Sequence, residues 1–217
     1  PEPQTALSFG PKVTECGPIV RTEPMDAGEN TCIRTMLFDL LAAPASRLMV
    51  SMLGGGVASD RPAQLHQLCL LAEARADLLH LVVVWPGATV APSLFGWKQT
   101  RFVSTLHAAR LAVVADFVVS ASGYNSYHEC LYNRVPAILV PQIAMYMDDQ
   151  ERRARSASDR DLAVTVMPDE LVRLEREVAA FLDDGKAETV RERIKAEVLP
   201  RPGNAAAAAI IDAEMER

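Results

Sequence analysis

Val118-Val119-Ser120-Ala121-Ser122-Gly123-Tyr124-Asn125-Ser126-Tyr127-His128-Glu129-Cys130-Leu131 is the stretch that decides the fold. It reads as a buried strand that stops at a glycine, turns through small polar residues and launches a helix. Such a turn aims several backbone N–H groups at one spot, with the positive end of the helix dipole behind them. It therefore suits a phosphate or another anion. Glu129 falls in the first turn of the expected helix, and an anion holder beside a hydroxyl-binding acid points to a nucleotide.

The chain upstream supports a buried-strand reading. Residues 47–53, Arg-Leu-Met-Val-Ser-Met-Leu, form a short apolar run ending at Gly54-Gly55-Gly56, as a parallel strand followed by a tight turn does. Ser59-Asp60-Arg61-Pro62 then offers N-cap residues and a first-turn proline. Leu65, Leu68, Cys69, Ala72 and Ala76 recur at helical spacing. Strands are expected at 80–85, 100–103 and 116–120, with a loop over 86–99 and a helix over 106–114. Downstream, strands are expected at 136–141 and 162–166, and helices at 148–156, from Pro168 onward, at 187–198 and at 204–214. Towards the start, residues 1–12 read as a linker or ragged end and 13–20 as a short strand. Residues 21–31 read as loop and 33–41 as a short helix. Strands alternating with helices imply right-handed crossovers, hence an α/β, Rossmann-like parallel sheet of about six strands with helices on both faces. The domain so defined spans 13–217.

Composition sets limits. The chain has 217 residues, 49% hydrophobic and 23% charged, enough for one well-cored domain. A net charge of −6 argues against a nucleic-acid surface. Cys16, Cys32, Cys69 and Cys130 form no CxxC pair, which favours reduced thiols in a cytoplasmic protein over a zinc or redox site. No apolar run approaches the roughly 20 residues of a membrane span, and no signal-peptide pattern is read. The chain opens on Pro1 rather than Met, as a piece of a larger protein would.

Residues 115–142, Ala-Asp-Phe-Val-Val-Ser-Ala through Val-Pro-Gln, followed by Met-Asp-Asp-Gln-Glu-Arg-Arg-Ala-Arg-Ser-Ala and a strand, carry a resemblance. The stretch resembles the C-terminal, donor-binding domain of GT-B glycosyltransferases, and is most similar to the group containing the peptidoglycan N-acetylglucosaminyltransferase. The resemblance spans about residues 47–215. It implies a hexosyl or N-acetylhexosaminyl transferase of the inverting kind, with a nucleoside-diphosphate sugar as substrate, UDP-linked, and neither cofactor nor metal. It implies that Glu129 holds the ribose hydroxyls and that Ser122, Gly123, Tyr124, Asn125 and Ser126 form the diphosphate turn. Gly54, Gly55 and Gly56 correspond to a glycine loop facing the interdomain cleft, Phe102 and Val103 to the segment that reads the base, and Asp149 and Gln150 to the pair on the transferred sugar. Tyr124-Asn125 stand where the family has smaller residues. No catalytic residue is expected in this chain, because general base and acceptor site belong to an N-terminal GT-B domain, supplied in cis or by a partner chain. Peripheral membrane contact of the full protein remains compatible with this.

Plainer readings stand beside these. Ser126-Tyr127-His128-Glu129 matches a capping box, Gly54 to Gly56 a simple tight turn, and Asp148-Asp149-Gln150 an N-cap cluster. His80 and His107 read as edge residues and Arg152-Arg153 as a solvated face within reach of a donor phosphate. Two other functions fit the fold: a non-catalytic nucleotide-sugar-binding subunit, and a nucleotide-sugar hydrolase or 2-epimerase.

Overall fold

A computed structural model describes residues 14–22, 26–41, 43–54, 61–86, 96–144 and 148–215. Two compact units are distinguished. One is Arg21–Glu197; the other comprises the chain ends, within Pro1–Val20 and Val198–Arg217.

In the larger unit the elements run α1 (Ala27–Leu40), β1 (Arg47–Met52), α2 (Arg61–Glu73), β2 (Leu78–Val84), β3 (Thr100–Ser104), α3 (Ala108–Val114), β4 (Phe117–Ser120), α4 (Tyr124–Tyr132), β5 (Ala137–Leu139), α5 (Gln150–Ser158), β6 (Val164–Thr165), α6 (Leu171–Asp183) and α7 (Lys186–Ala196). The strands form one six-stranded parallel sheet in the order β3-β2-β1-β4-β5-β6. β1 is buried along all but its first residue and β4 along its whole length, so the central strands are covered on both faces. On one face Phe117 of β4 meets Phe181 of α6, ring centroids 5.3 Å apart. α6 turns Leu174, Val178, Phe181 and Leu182 inward at helical spacing, as the sequence pattern requires.

Several local expectations change. α1 starts at Ala27, not near residue 33, because the Asp26 carboxylate caps it by accepting from Glu29 N–H at 2.7 Å. The segment 14–20 forms no strand. Gly17 takes a positive φ of 83°, which breaks an extended run, and Val20 pairs with a side chain instead. Its N–H donates to Asn204 Oδ1 and its carbonyl accepts from Asn204 Nδ2, both at 3.0 Å, at the start of α8 (Asn204–Met215) in the smaller unit. His80 is no edge residue: it is fully buried in β2, between Ser51 Oγ at 2.7 Å and Thr100 Oγ1 at 3.1 Å on the flanking strands. Among the described residues no helix is long and apolar enough to cross a membrane.

Candidate functional site

From β1 the chain builds outward through β2 and β3 on one side, then returns to add β4, β5 and β6 on the other. The crevice outside the carboxyl ends of β1 and β4 is therefore the switch point where parallel α/β sheets bind ligands. Leu53-Gly54 leaves β1 there, and Ala121-Ser122-Gly123 leaves β4. Gly54 holds a φ of 89°, and a Cβ on it would lie 3.7 Å from the Gln142 carboxamide and 3.8 Å from the Ala121 Cβ, so the two turns are neighbours. Gly55 and Gly56 lie outside the described residues.

α4 begins earlier than the sequence pattern suggests. Gly123 is its N-cap and Tyr127 N–H already donates to the Gly123 carbonyl at 2.9 Å. The Ser126–Glu129 capping box is thereby excluded: both residues are inside the helix, and Glu129 is in the second turn rather than the first. No side chain caps α4. Among the described residues no acceptor meets the N–H groups of Gly123, Tyr124, Asn125 and Ser126. α1 and α5 differ, each having an aspartate, Asp26 or Asp149, in that place. An uncapped helix start at the switch point presents a cluster of free donors on a positive dipole end.

Behind that turn, four chain segments are tied by one polar web. The buried Ser122 hydroxyl donates to the Gln150 carbonyl at 2.8 Å. Gln150 is buried too, and its Oε1 accepts from Gln142 N–H at 3.1 Å, while Gln142 Nε2 donates to the Leu53 carbonyl. Gln150 Nε2 faces the turn, 3.9 Å from where a Cβ on Gly123 would stand. Arg153 donates through Nη1 to the Ser122 carbonyl at 2.6 Å and pairs through Nη2 with Asp148 at 2.7 Å. Arg153 is thus not on a solvated face; its side chain is 16% exposed.

The remaining sequence candidates sit around this frame. Tyr124 is exposed, its ring 4.5 Å from that of His128, and the Arg153 guanidinium stands 5.8 Å from the Tyr124 ring centroid. Glu129 is half-buried on the face of α4 it shares with Asn125, one turn further in. Asp149 caps α5, its carboxylate accepting from Arg152 N–H at 2.9 Å. Phe102 and Val103 are half-buried on the edge strand β3, two strands from β1, and so share the sheet edge without joining the web. Gln142 and Arg153 carry much of the web, and sequence reasoning gave neither a place in it. The polar residue directly after the apolar run 136–141 was the available signal for Gln142. A depression of about 580 Å³ lies elsewhere, along α5, lined by Asp149, Arg152, Arg155, Ser156 and Arg160 among others. Arg155 is paired there with Glu151 and Arg160 with Glu197, so two of its three arginines are neutralised. The switch point differs in that its donors are backbone N–H groups gathered at one helix start.

No protein-family model and no curated protein matches the chain. Solved structures do. The spinosyn rhamnosyltransferase SpnG complexed with thymidine diphosphate is 18% identical, with a TM-score of 0.54, over 76% of this chain and 45% of that one. Glycosyltransferase VinC in complex with DTDP is 16% identical, with a TM-score of 0.55, over 82% of this chain and 44% of that one. Glycosyltransferase SnogD from Streptomyces nogalater is 19% identical, with a TM-score of 0.53, over 77% and 44%. At these identities the likeness establishes the fold, that of one Rossmann-like half of a GT-B architecture. The chain spans less than half the length of the structures it matches.

Proposed function

We propose that this chain is the donor-binding half of a glycosyltransferase that uses a nucleoside-diphosphate sugar. The observation that carries the reading is the uncapped start of α4 at the switch point, with Glu129 one turn further along the same helix. Glu129 is six positions beyond Gly123, a helical rise of about 9 Å, and side chains lean back toward the helix start. A diphosphate on the N–H groups therefore leaves its ribose within reach of the Glu129 carboxylate. The base extends toward β3, where Phe102 and Val103 lie, and the sugar toward the start of α5, with Gln150 Nε2 as a donor.

In the transfer itself, an acceptor hydroxyl attacks the anomeric carbon as the bond to the diphosphate breaks, with inversion. Negative charge grows on the leaving diphosphate, and the fixed N–H groups of residues 123–126 are placed to stabilise it without reorganising. We assign no metal ion and no cofactor to that task. The proton of the acceptor is taken by a base from an N-terminal GT-B domain, in the same polypeptide or a partner, so this chain alone binds donor and does not transfer sugar. A pyrimidine nucleotide is the expected donor, UDP from the sequence resemblance and dTDP from the ligands named for SpnG and VinC.

Calorimetric titration with UDP, dTDP and GDP tests the reading. Wild type should bind a pyrimidine diphosphate, and Glu129→Ala should weaken it about tenfold, as expected for one lost charge-assisted hydrogen bond. Equal binding of every nucleotide by both proteins, or none, sinks the ribose assignment.

A further inference from the structure

We infer that Arg153 is the positioning residue of the anion turn: it fixes the 122–123 peptide so that the Gly123 N–H points into the crevice. The inference rests on the donor-site reading above and deepens it. In a trans peptide the carbonyl and the N–H point in opposite directions. Arg153 holds the Ser122 carbonyl at 2.6 Å, so the N–H of the same peptide points away from the guanidinium. Arg153 belongs to α5 and its other arm binds Asp148 just before that helix, on the β5 side of β4. The direction away from it leads to the β1 side, where Gly54 lies beside Ala121.

Other contacts make this a set geometry. The Ser122 hydroxyl is engaged by the Gln150 carbonyl at 2.8 Å, which pins the same residue to the start of α5. Asp148 takes the second arm of the fork, and the Tyr124 ring stands 5.8 Å from the guanidinium, so the group is held from three directions. A planar fork with two orthogonal duties is what arginine supplies and lysine does not. Among the described residues no other hydrogen bond holds the Ser122 carbonyl. Without Arg153 the peptide is free to rotate, and a rotated plane would present a carbonyl oxygen to the anion in place of a donor.

The test combines calorimetry with UDP and dTDP and amide resonances of the isotope-labelled chain. In wild type the Gly123 N–H resonance should move downfield on saturation. Arg153→Gln and Arg153→Lys should each weaken nucleotide binding tenfold or more and displace the Gly123 resonance already in the nucleotide-free protein. Arg176→Gln, which removes one cation from the exposed side of α6, should bind as wild type does. Asp148→Asn should keep affinity within about threefold, because the Ser122 contact survives. Should Arg153→Gln not fold, the lysine variant gives the same readout. Wild-type affinity in Arg153→Lys would mean that charge alone suffices, and would overturn the inference. An unmoved Gly123 resonance in both variants would overturn it as well. Failure of wild type to bind either nucleotide would instead sink the donor-site reading, while the nucleotide-free spectra would still decide the peptide's orientation.

Discussion

Single side chains decide how this sheet tolerates polarity, and His80 is the sharpest case. Its ring lies in the middle of three strands with a hydroxyl on each side, from Ser51 and Thr100, so a neutral imidazole has both nitrogens satisfied. Burial holds its pKa well below the ordinary 6.5, at about 3. Between those values the unfolded chain binds a proton that the native state refuses. Stability therefore falls as pH drops below 6.5 and is unaffected by this residue above it. Urea denaturation at pH 7.5 and 5.0 should differ by about 2 kcal/mol from His80 alone. His80→Gln should flatten that difference while lowering stability at pH 7.5, since a serine or threonine hydroxyl loses its partner at a cost of about 1–3 kcal/mol. An unchanged slope in the variant would show that other groups carry the acid sensitivity. The sequence showed the strand but not this role, because both partners come from strands distant in the chain. Arg153 was misread for the same reason: the arginine before it, Arg152, is exposed, and the tertiary contact with Ser122 is what withdraws Arg153 from water.

At the scale of elements, apolar runs placed the six sheet strands within a residue or two, and apart from the strand expected at 13–20 the errors gathered at helix starts. α4 was misplaced because Ser126 and Glu129 satisfy the capping pattern, whereas glycine at the true N-cap leaves no side-chain signature. α1 was read short because its first turns carry no apolar stripe. None of its residues is buried, so burial does not explain why it stays against the sheet. Arg34 does. Its guanidinium donates to the Val114 carbonyl at 2.8 Å and the Ser46 carbonyl at 3.0 Å, and meets Asp116 Oδ2 at 3.1 Å. The same Asp116 oxygen accepts from Leu48 N–H at 2.7 Å, which lines up β1 with β4. Arg34→Ala should accordingly loosen the helix and spare the sheet. Amide exchange within Ala27–Leu40 should quicken about tenfold, equivalent to the roughly 1.4 kcal/mol of one or two hydrogen bonds, with β4 unchanged. Equal acceleration in β4 would mean that Asp116 depends on Arg34 to hold the strands.

For the molecule as a whole, alternation of strands and helices was legible, and with it the rule that the site lies at carboxyl strand ends. The strand order was not, and it is the order that brings Gly54 beside Ala121 and leaves Phe102 two strands away. The two compact units make the donor-site reading testable across the entire chain. A ligand that binds only the native larger unit stabilises it by RT ln(1 + [L]/Kd), about 2.7 kcal/mol at a hundredfold excess over Kd. Amides of β1 and β4 that exchange only through opening of that unit should then slow about a hundredfold with saturating UDP or dTDP. The Val20 amide, held by Asn204 in the smaller unit, should keep its rate. Glu129→Ala should reduce the slowing at the same nucleotide concentration. Protection confined to α5, where the charged depression lies, would move the binding site off the switch point. Slowing of Val20 in step with β4 would instead show that the ends of the chain take part in binding the nucleotide.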